Sequence, residues 1–270
     1  MKTRTPWAVI FCIPIVITSS CLLDTTGRVC SWFISDTEES SMGDTLKLAI
    51  LKDTQHYPPY TRNQAVIRYV DSVGQAIVDA QTMRPENSNF KYDFTVISLD
   101  TVVNAFAIPG GHVFVYSGLI KACSTEAELA GVMAHEVAHI TNRHGVQAMC
   151  NAGLVGFVSK VILGDSSMIG QILDGMLMLK FSRDNEFEAD SCSATFLNRA
   201  KWNPSGMKNF LVTLKNLYGD TPRYFEPFTT HPSTTDRITR AIREIGRLPD
   251  TFKNDSCLYR QRFLQVKGQL

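Results

Sequence analysis

Two histidines four residues apart constrain the fold of this chain more than any other feature. Residues four apart on an α-helix are rotated by about 400°, little more than one turn, so His135 and His139 face the same side. Two imidazoles on one face can bind a single metal ion, and Glu136 can reach a water on that ion. The pattern therefore requires a helix here, and Thr125 with Glu128 forms the Thr-x-x-Glu signal that starts one.

The order His-Glu-x-x-His is typical of zinc metallopeptidases. A catalytic zinc needs a third protein ligand and an open position for water. Glu186 and Asp190 are the candidates, because they are four apart on a helix predicted over 184–200 and share a face. One carboxylate would bind the metal and the other would orient a ligand histidine; their spacing does not say which. The alternative is a solvated acidic helix face.

Four segments in this order resemble the HtpX, Oma and CAAX-prenyl-protease family of zinc metallopeptidases. They are 104–111 (Asn-Ala-Phe-Ala-Ile-Pro-Gly-Gly), 135–144 (His-Glu-Val-Ala-His-Ile-Thr-Asn-Arg-His), 182–190 (Ser-Arg-Asp-Asn-Glu-Phe-Glu-Ala-Asp) and 230–232 (Thr-His-Pro). The resemblance covers roughly residues 45–245. In addition, Thr26-Gly27-Arg28 resembles the start of small periplasmic lipoprotein members of the LoiP type.

The resemblance implies one zinc ion per chain, held by His135, His139 and Glu186, with Asp190 behind a ligand histidine. Glu136 would be the general base, and His231 would stabilise the oxyanion unless it is an ordinary loop histidine. The implied activity is an endopeptidase acting on unfolded or misassembled envelope proteins, with envelope chaperones or proteases as further partners. The alternative is an envelope chaperone or assembly scaffold whose zinc site is latent.

Three further interpretations concern residues near the motifs. The segment Asn104-Ala105-Phe106 is predicted to lie in an edge strand that binds extended substrate, or else in a purely structural hairpin. His144, five positions after His139, is expected to turn away from the metal and not to bind it. Glu188 is expected to be structural or exposed.

The N-terminus has the pattern of an export signal. Lys2 and Arg4 precede an apolar run, 7–18, and small residues precede Cys21. We predict a signal peptide over 1–20, lipidation of Cys21 and an irregular tether over 21–44. A plain signal peptide or an uncleaved membrane anchor are the alternatives. The predicted location is the bacterial envelope, facing the periplasm and on the outer rather than the inner membrane; the alternative is the mitochondrial inner membrane.

The seven cysteines do not show a Cys-x-x-Cys spacing, so a cysteine zinc site is not predicted. A disulfide is compatible with an oxidising compartment, but the sequence does not pair the cysteines. Cys150 and Cys192 lie in apolar helical contexts and are predicted to be buried free thiols.

The remaining patterns predict an α+β fold: a mainly helical, zincin-like domain over 45–250 and a polar tail over 251–270. Three strands, 92–99, 104–108 and 112–116, would form a small sheet beside the active-site helix. Further helices are predicted over 65–80, from Pro204 to about 219, and over 235–245. The apolar stretch 153–180 falls into pieces too short to span a membrane, so it is predicted to be core, or else a lid or membrane contact. A net charge of +1 gives no reason to expect a nucleic-acid partner.

Overall fold

The computed structural model describes residues 28–81, 90–154, 175, 179, 181–219 and 235–270. Its helices and strands, numbered in chain order, are α1 (Asp36–Lys52), α2 (Gln64–Ala80), β1 (Asp93–Ile97), β2 (Ala105–Ile108), β3 (His112–Tyr116), α3 (Ser117–Ala122), α4 (Glu126–Thr141), α5 (His144–Asn151), α6 (Arg183–Arg199), α7 (Gly206–Tyr218), α8 (Thr235–Arg247) and α9 (Arg260–Lys267). The apolar stretch 153–180, signal peptide 1–20, Cys21 and His231 lie almost wholly or entirely outside these ranges.

The sheet is small and mixed, with strand order β1-β3-β2. β2 and β3 form the predicted antiparallel hairpin, while β1 pairs with β3 in parallel. The turn between β2 and β3 depends on glycine, because Gly110 has φ 87° in the left-handed region. β3 is buried along its whole length, and β2 forms one edge of the described sheet. This architecture confirms the predicted mainly helical α+β fold.

Helix α4, which carries both histidines, lies at the centre of the molecule, and every one of its residues is buried. It begins at the predicted cap, where the Thr125 hydroxyl accepts the backbone N–H of Glu128. At the same end the carboxylate of Glu126 accepts hydrogen bonds from the side chains of Tyr69, Trp202 and Arg262. A charged residue can be buried at low cost only when it is paired in this way.

Helices α4 and α7 approach each other so closely that their contact requires glycine. A Cβ on Gly131 would lie 2.3 Å from the backbone nitrogen of Met207, and one on Gly206 would lie 1.9 Å from the carbonyl oxygen of Ala127. On the same side of α4, the Ser193 hydroxyl of α6 donates to the carbonyl of Gly131. The backbones of α4, α6 and α7 are therefore fixed relative to one another around the histidine helix.

Residues 36–44, predicted to be part of an irregular tether, instead form the first half of α1. Ser35 caps this helix in a complete capping box with Glu38. Met42, Leu46 and Ile50 then pack against the sheet in a second apolar cluster, beside the main core. The prediction failed because residues 35–45 are mostly polar. The apolar residues that repeat every fourth position, Met42, Leu46 and Ile50, begin only near the end of that stretch.

The structure corrects two further predictions. Cys150, predicted to be a free thiol, forms a disulfide with Cys30 that joins the start of the described chain to α5. Cys192 is partly buried and does not form a disulfide within the described residues. Residues 251–270, predicted to be a polar tail, pack onto the domain: Phe263 in α9 is fully buried and lies in the main core. In the part of the chain that the structure describes, no helix combines the length and apolarity needed to cross a membrane.

The contact at Gly131 gives a direct test of this packing. We expect Gly131→Ala to lower the free energy of unfolding by roughly 1–3 kcal/mol or more, because the added methyl group overlaps the backbone of α7. Chemical denaturation followed by circular dichroism would measure this change. Gly246→Ala is the matched control: its Cβ would meet no atom within 4 Å, and it should raise stability by about 0.5–1 kcal/mol. Equal effects of the two substitutions would contradict the close approach of α4 and α7.

Candidate metal centre

The two histidines of α4 lie one turn apart with their Nε2 atoms turned toward each other. These nitrogens are 3.0 Å apart, and both side chains are almost completely buried. The planes of the rings are inclined at 78°, so the rings do not stack on each other. Both Nε2 atoms therefore point into one small space beside the helix, as the spacing of His135 and His139 predicts.

Glu186 brings a carboxylate to the same point from α6. The helix begins at Ser182, which forms a capping box with Asn185, so Glu186 lies in its first turn. Its Oε1 is 3.5 Å from His139 Nε2, and its Oε2 is 3.6 Å from His135 Nε2. Donors about 2.0–2.2 Å from a tetrahedral zinc would be separated by about 3.3–3.6 Å. Both distances from Glu186 lie in this range, while the 3.0 Å between the two histidine nitrogens is shorter, so the three side chains match such an ion after a small separation of the two rings. Within the described ranges these three residues form the cluster of histidine, cysteine and acidic side chains that could hold a metal ion.

Asp190 and Arg237 lie behind the three metal-ligand candidates. Asp190, one turn after Glu186 on α6, has its Oδ1 3.0 Å from His135 Nδ1, the ring nitrogen that faces away from the cluster. The guanidinium of Arg237, from α8, donates to both oxygens of Asp190 at 2.7 and 2.8 Å. Another of its nitrogens lies 2.6 Å from Glu186. One buried cation thus fixes the candidate third ligand and the partner of His135 at the same time.

The electrostatics of the cluster favour a bound cation. Burial opposes charge on His135, but hydrogen bonds with Asp190 and Glu186 outweigh it and raise the pKa of His135 to about 9. Burial likewise opposes charge on Asp190, yet Arg237 holds the pKa of Asp190 below its usual value. Three carboxylates, those of Glu136, Glu186 and Asp190, face one guanidinium, which leaves a formal surplus of two negative charges when both histidines are neutral, as metal ligands must be. A divalent ion would neutralise this surplus.

Glu136 lies on α4 directly after the first ligand candidate, and its side chain is buried. Burial opposes charge on Arg237, but the carboxylates of Asp190 and Glu186, and to a smaller extent that of Glu136, raise the pKa of its guanidinium. A carboxylate in this position, beside a metal-ligand cluster but outside it, can exchange protons with a water molecule at the metal.

His144 lies close to His139, although the sequence predicted that it would turn away. Its Nδ1 is 2.9 Å from Nδ1 of His139, and its Nε2 is 3.3 Å from a carboxylate oxygen of Glu188. The first contact requires one Nδ1 to carry a hydrogen, and His139 has its Nε2 directed at the cluster. The consistent assignment is that His139 Nδ1–H donates to His144, whose Nε2–H donates to Glu188. His144 thus does for His139 what Asp190 does for His135.

A cleft opens beside His139 on the side of the sheet. It is bounded by the end of β2, by the turn between α4 and α5, and by Phe181. The ring of Phe181 stacks on that of His139, with the centroids 4.1 Å apart. The residues of β2 that border the cleft are Ala107 and Ile108.

The predicted substrate-binding residues, Asn104, Ala105 and Phe106, directly precede the residues of β2 that border this cleft. The side chains of Ala105 and Phe106 are buried, and Phe106 stacks on Phe114 with a centroid distance of 4.9 Å. The carbonyl of Asn104 accepts the N–H of Tyr116, which closes the hairpin. The structure thus places this segment at the sheet edge, as predicted, with its side chains in the core. His231 lies outside the described residues.

Two residues of the site were absent from the sequence analysis. Phe181 directly precedes a recognised motif, but no spacing rule selects it. Arg237 could have been found, because Arg237, Ala241 and Ile245 recur every fourth residue and are the buried residues of α8. An arginine on the buried stripe of a helix needs a buried anion, and the Glu186–Asp190 pair was the available candidate.

Comparisons with known proteins agree with this geometry. The sequence model of peptidase family M48 matches residues 64–245. The beta-barrel assembly-enhancing protease of Yersinia pestis is 28% identical over 271 residues, 92% of this chain and 52% of its own length. The mitochondrial metalloendopeptidase OMA1 of Saccharomyces cerevisiae is 26% identical over 238 residues, with 83% and 69% covered. The metalloprotease YcaL of Escherichia coli is 32% identical over 143 residues, with 50% and 55% covered.

The contact between His139 and His144 generates a testable prediction. His144→Ala should weaken zinc binding by about 10-fold to 100-fold, because His139 loses the partner that fixes its ring. Competition with a coloured chelator measures this affinity, and thermal unfolding confirms that the variant folds. His56→Ala is the control, since His56 is an exposed histidine paired only locally with Asp53. An unchanged zinc affinity in His144→Ala would show that His144 does not position the ligand.

Proposed function

Since the chain belongs to peptidase family M48, we propose that it is a zinc-dependent endopeptidase with the metal held by His135, His139 and Glu186. The observation that carries this proposal is their convergence, with Nε2 and carboxylate oxygens 3.0–3.6 Å apart, beside the buried Glu136. The chain spans about half the length of the beta-barrel assembly-enhancing proteases that it matches, so activity, substrate and partners are proposed here for this chain.

The residues of the site have different roles in the proposed hydrolysis. Zinc, when bound, acts as a Lewis acid and lowers the pKa of a water molecule toward about 7. Glu136 accepts the proton of the attacking water and delivers it to the nitrogen of the leaving amine. Asp190, Arg237 and His144 contact the ligand side chains and hold them in place. His231 is proposed as the donor that stabilises the negative oxygen of the intermediate.

The proposed substrates are unfolded or misassembled proteins of the cell envelope. An edge strand can bind an extended chain through added backbone hydrogen bonds. β2 (Ala105–Ile108), which follows Asn104, is an edge strand of the described sheet and lies beside the cleft. The Yersinia pestis relative carries a name that refers to β-barrel assembly, which supports an envelope substrate. Envelope chaperones and other proteases are the proposed partners.

We place the protein in the bacterial envelope, attached by a lipid on Cys21 to the periplasmic face of the outer membrane. The Cys30–Cys150 disulfide supports this location, because disulfides persist in oxidising compartments such as the periplasm. The sequence before Cys21 supports the attachment, since it combines basic residues, an apolar run and small residues.

The substitution Glu136→Gln distinguishes the proposed peptidase from the alternative of a chaperone or assembly scaffold. The amide keeps the shape of the side chain but cannot accept the proton, so hydrolysis should fall by about 100-fold or more while zinc content and thermal stability are unchanged. The measurement is cleavage of an unfolded protein by the full-length wild type and the variant, with a chelator-treated sample alongside. Glu244→Gln, a glutamate of α8 paired with Arg247, is the control and should cleave normally. If Glu136→Gln retained full function in cells, the scaffold alternative would replace the peptidase as the main role.

The lipid attachment has its own test. Intact-mass analysis of the protein isolated from membranes should give a chain beginning at Cys21 with added acyl mass, and Cys21→Ser should abolish both the processing and the acyl mass. An unmodified chain beginning at Met1 would contradict the lipid anchor.

A further inference from the structure

Three apolar side chains near the start of the described chain are exposed together. Val29, Trp32 and Phe33 have 43%, 78% and 83% of their surface exposed. Residues 28–32 are helical, and positions i, i+3 and i+4 lie on one side of a helical turn. We call these three residues the aromatic patch. Single exposed apolar residues are common on protein surfaces, but a tryptophan and a phenylalanine side by side, both more than three-quarters exposed, mark an interaction site.

The patch is held rigidly, because the opposite side of the same turn is anchored in the protein. Cys30 is joined to Cys150 of α5, and Ser31 is buried with its hydroxyl donating to the carbonyl of Arg28. The next residue after the patch, Ile34, accepts a 2.5 Å hydrogen bond from Arg143 and packs into the second apolar cluster. The exposed rings are therefore a fixed feature of the surface.

We infer that the aromatic patch lies against the lipid surface of the membrane. Cys21 and the apolar run 7–18, either of which would attach the chain to a bilayer, precede the patch closely in sequence. The eight residues from Cys21 to Val29 span at most about 30 Å in any conformation, so an attached chain keeps the patch near the bilayer. Tryptophan is enriched at the interface between lipid and water, and phenylalanine on the apolar side of an interfacial helix inserts there as well.

The charges near the patch indicate which lipid is required. Arg28 is the adjacent basic residue, whereas Asp36 and Glu38 follow in the first turn of α1; Glu39 is buried there and paired with Arg143. This balance gives no attraction for anionic lipid, so contact through the rings should occur on electrically neutral vesicles. The inference goes beyond the proposed peptidase activity and uses only the proposed membrane attachment, whether by lipid or by an uncleaved segment.

The experiment uses Trp32 as its own probe. Full-length protein is reconstituted into phosphatidylcholine vesicles with and without bromine atoms on the acyl chains, and Trp32→Phe is prepared in parallel. The fluorescence difference between the two proteins isolates Trp32 from Trp7 and from Trp202, which is 5% exposed and donates to Glu126. We expect the Trp32 emission to shift to shorter wavelength and to lose at least half its intensity in the brominated vesicles.

A second variant separates insertion of the patch from mere proximity. Phe33→Ser should reduce the quenching of Trp32 at least two-fold, because half of the inserting surface is removed. Ile242→Ser, which removes an apolar side chain on α8 that is 57% exposed, should leave the quenching unchanged. The readout does not involve hydrolysis, so a failed peptidase assay and a failed membrane contact are separate results.

Two outcomes would overturn the inference. In the first, Trp32 emits as a water-exposed tryptophan and is not quenched by brominated lipid. In the second, Trp32 is already shielded in the absence of vesicles and becomes more so as protein concentration rises, which would assign the patch to a second copy of the chain.

Discussion

The charge of Arg237 is buried between two carboxylates, Glu186 and Asp190, and the arrangement of the metal centre depends on this contact. Removing one member of such a buried ion pair typically costs about 3–5 kcal/mol, because the remaining charge is left without a partner. Here the loss of stability would disturb the candidate metal site itself, because Glu186 is a ligand candidate and Asp190 contacts His135. The position of α8 relative to α6 is therefore set by electrostatics as well as by packing.

The need to pair buried polar groups also determines how helix α4 contacts the rest of the fold. All its residues are buried, yet it carries glutamates and histidines, so each polar side chain has to find a partner on a neighbouring element. Glu126 meets Tyr69, Trp202 and Arg262; His135 meets Asp190; His139 meets His144. Helices α2, α6 and α9 are thus drawn to α4 by both apolar and polar contacts, and residues that are remote in sequence become neighbours of the metal centre.

Sequence reasoning predicted what local periodicity and motif spacing determine. It gave the hairpin, the cap at Thr125, the helix type around His135 and Glu186, and a shared direction for the two histidines. It missed what depends on a distant partner. The polar first half of α1 is helical because Met42 and Leu46 meet the sheet. Cys150 is oxidised because Cys30 lies beside it. His144 was rejected as a ligand on its angle around a continuous helix, but Arg143 has φ 59°, and that break between α4 and α5 brings the ring back to His139.

The disulfide also has a topological consequence. Cys30 and Cys150 are 120 residues apart, and the covalent ring that they close contains His135, Glu136 and His139, whereas Glu186 and Arg237 lie on the chain outside it. A single backbone cut anywhere between residues 31 and 149 opens the ring but cannot separate the two pieces. Two of the metal-ligand candidates and the proposed base would remain tied to the third ligand after such a nick. The disulfide would therefore hold the parts of the candidate metal centre together in a cleaved chain.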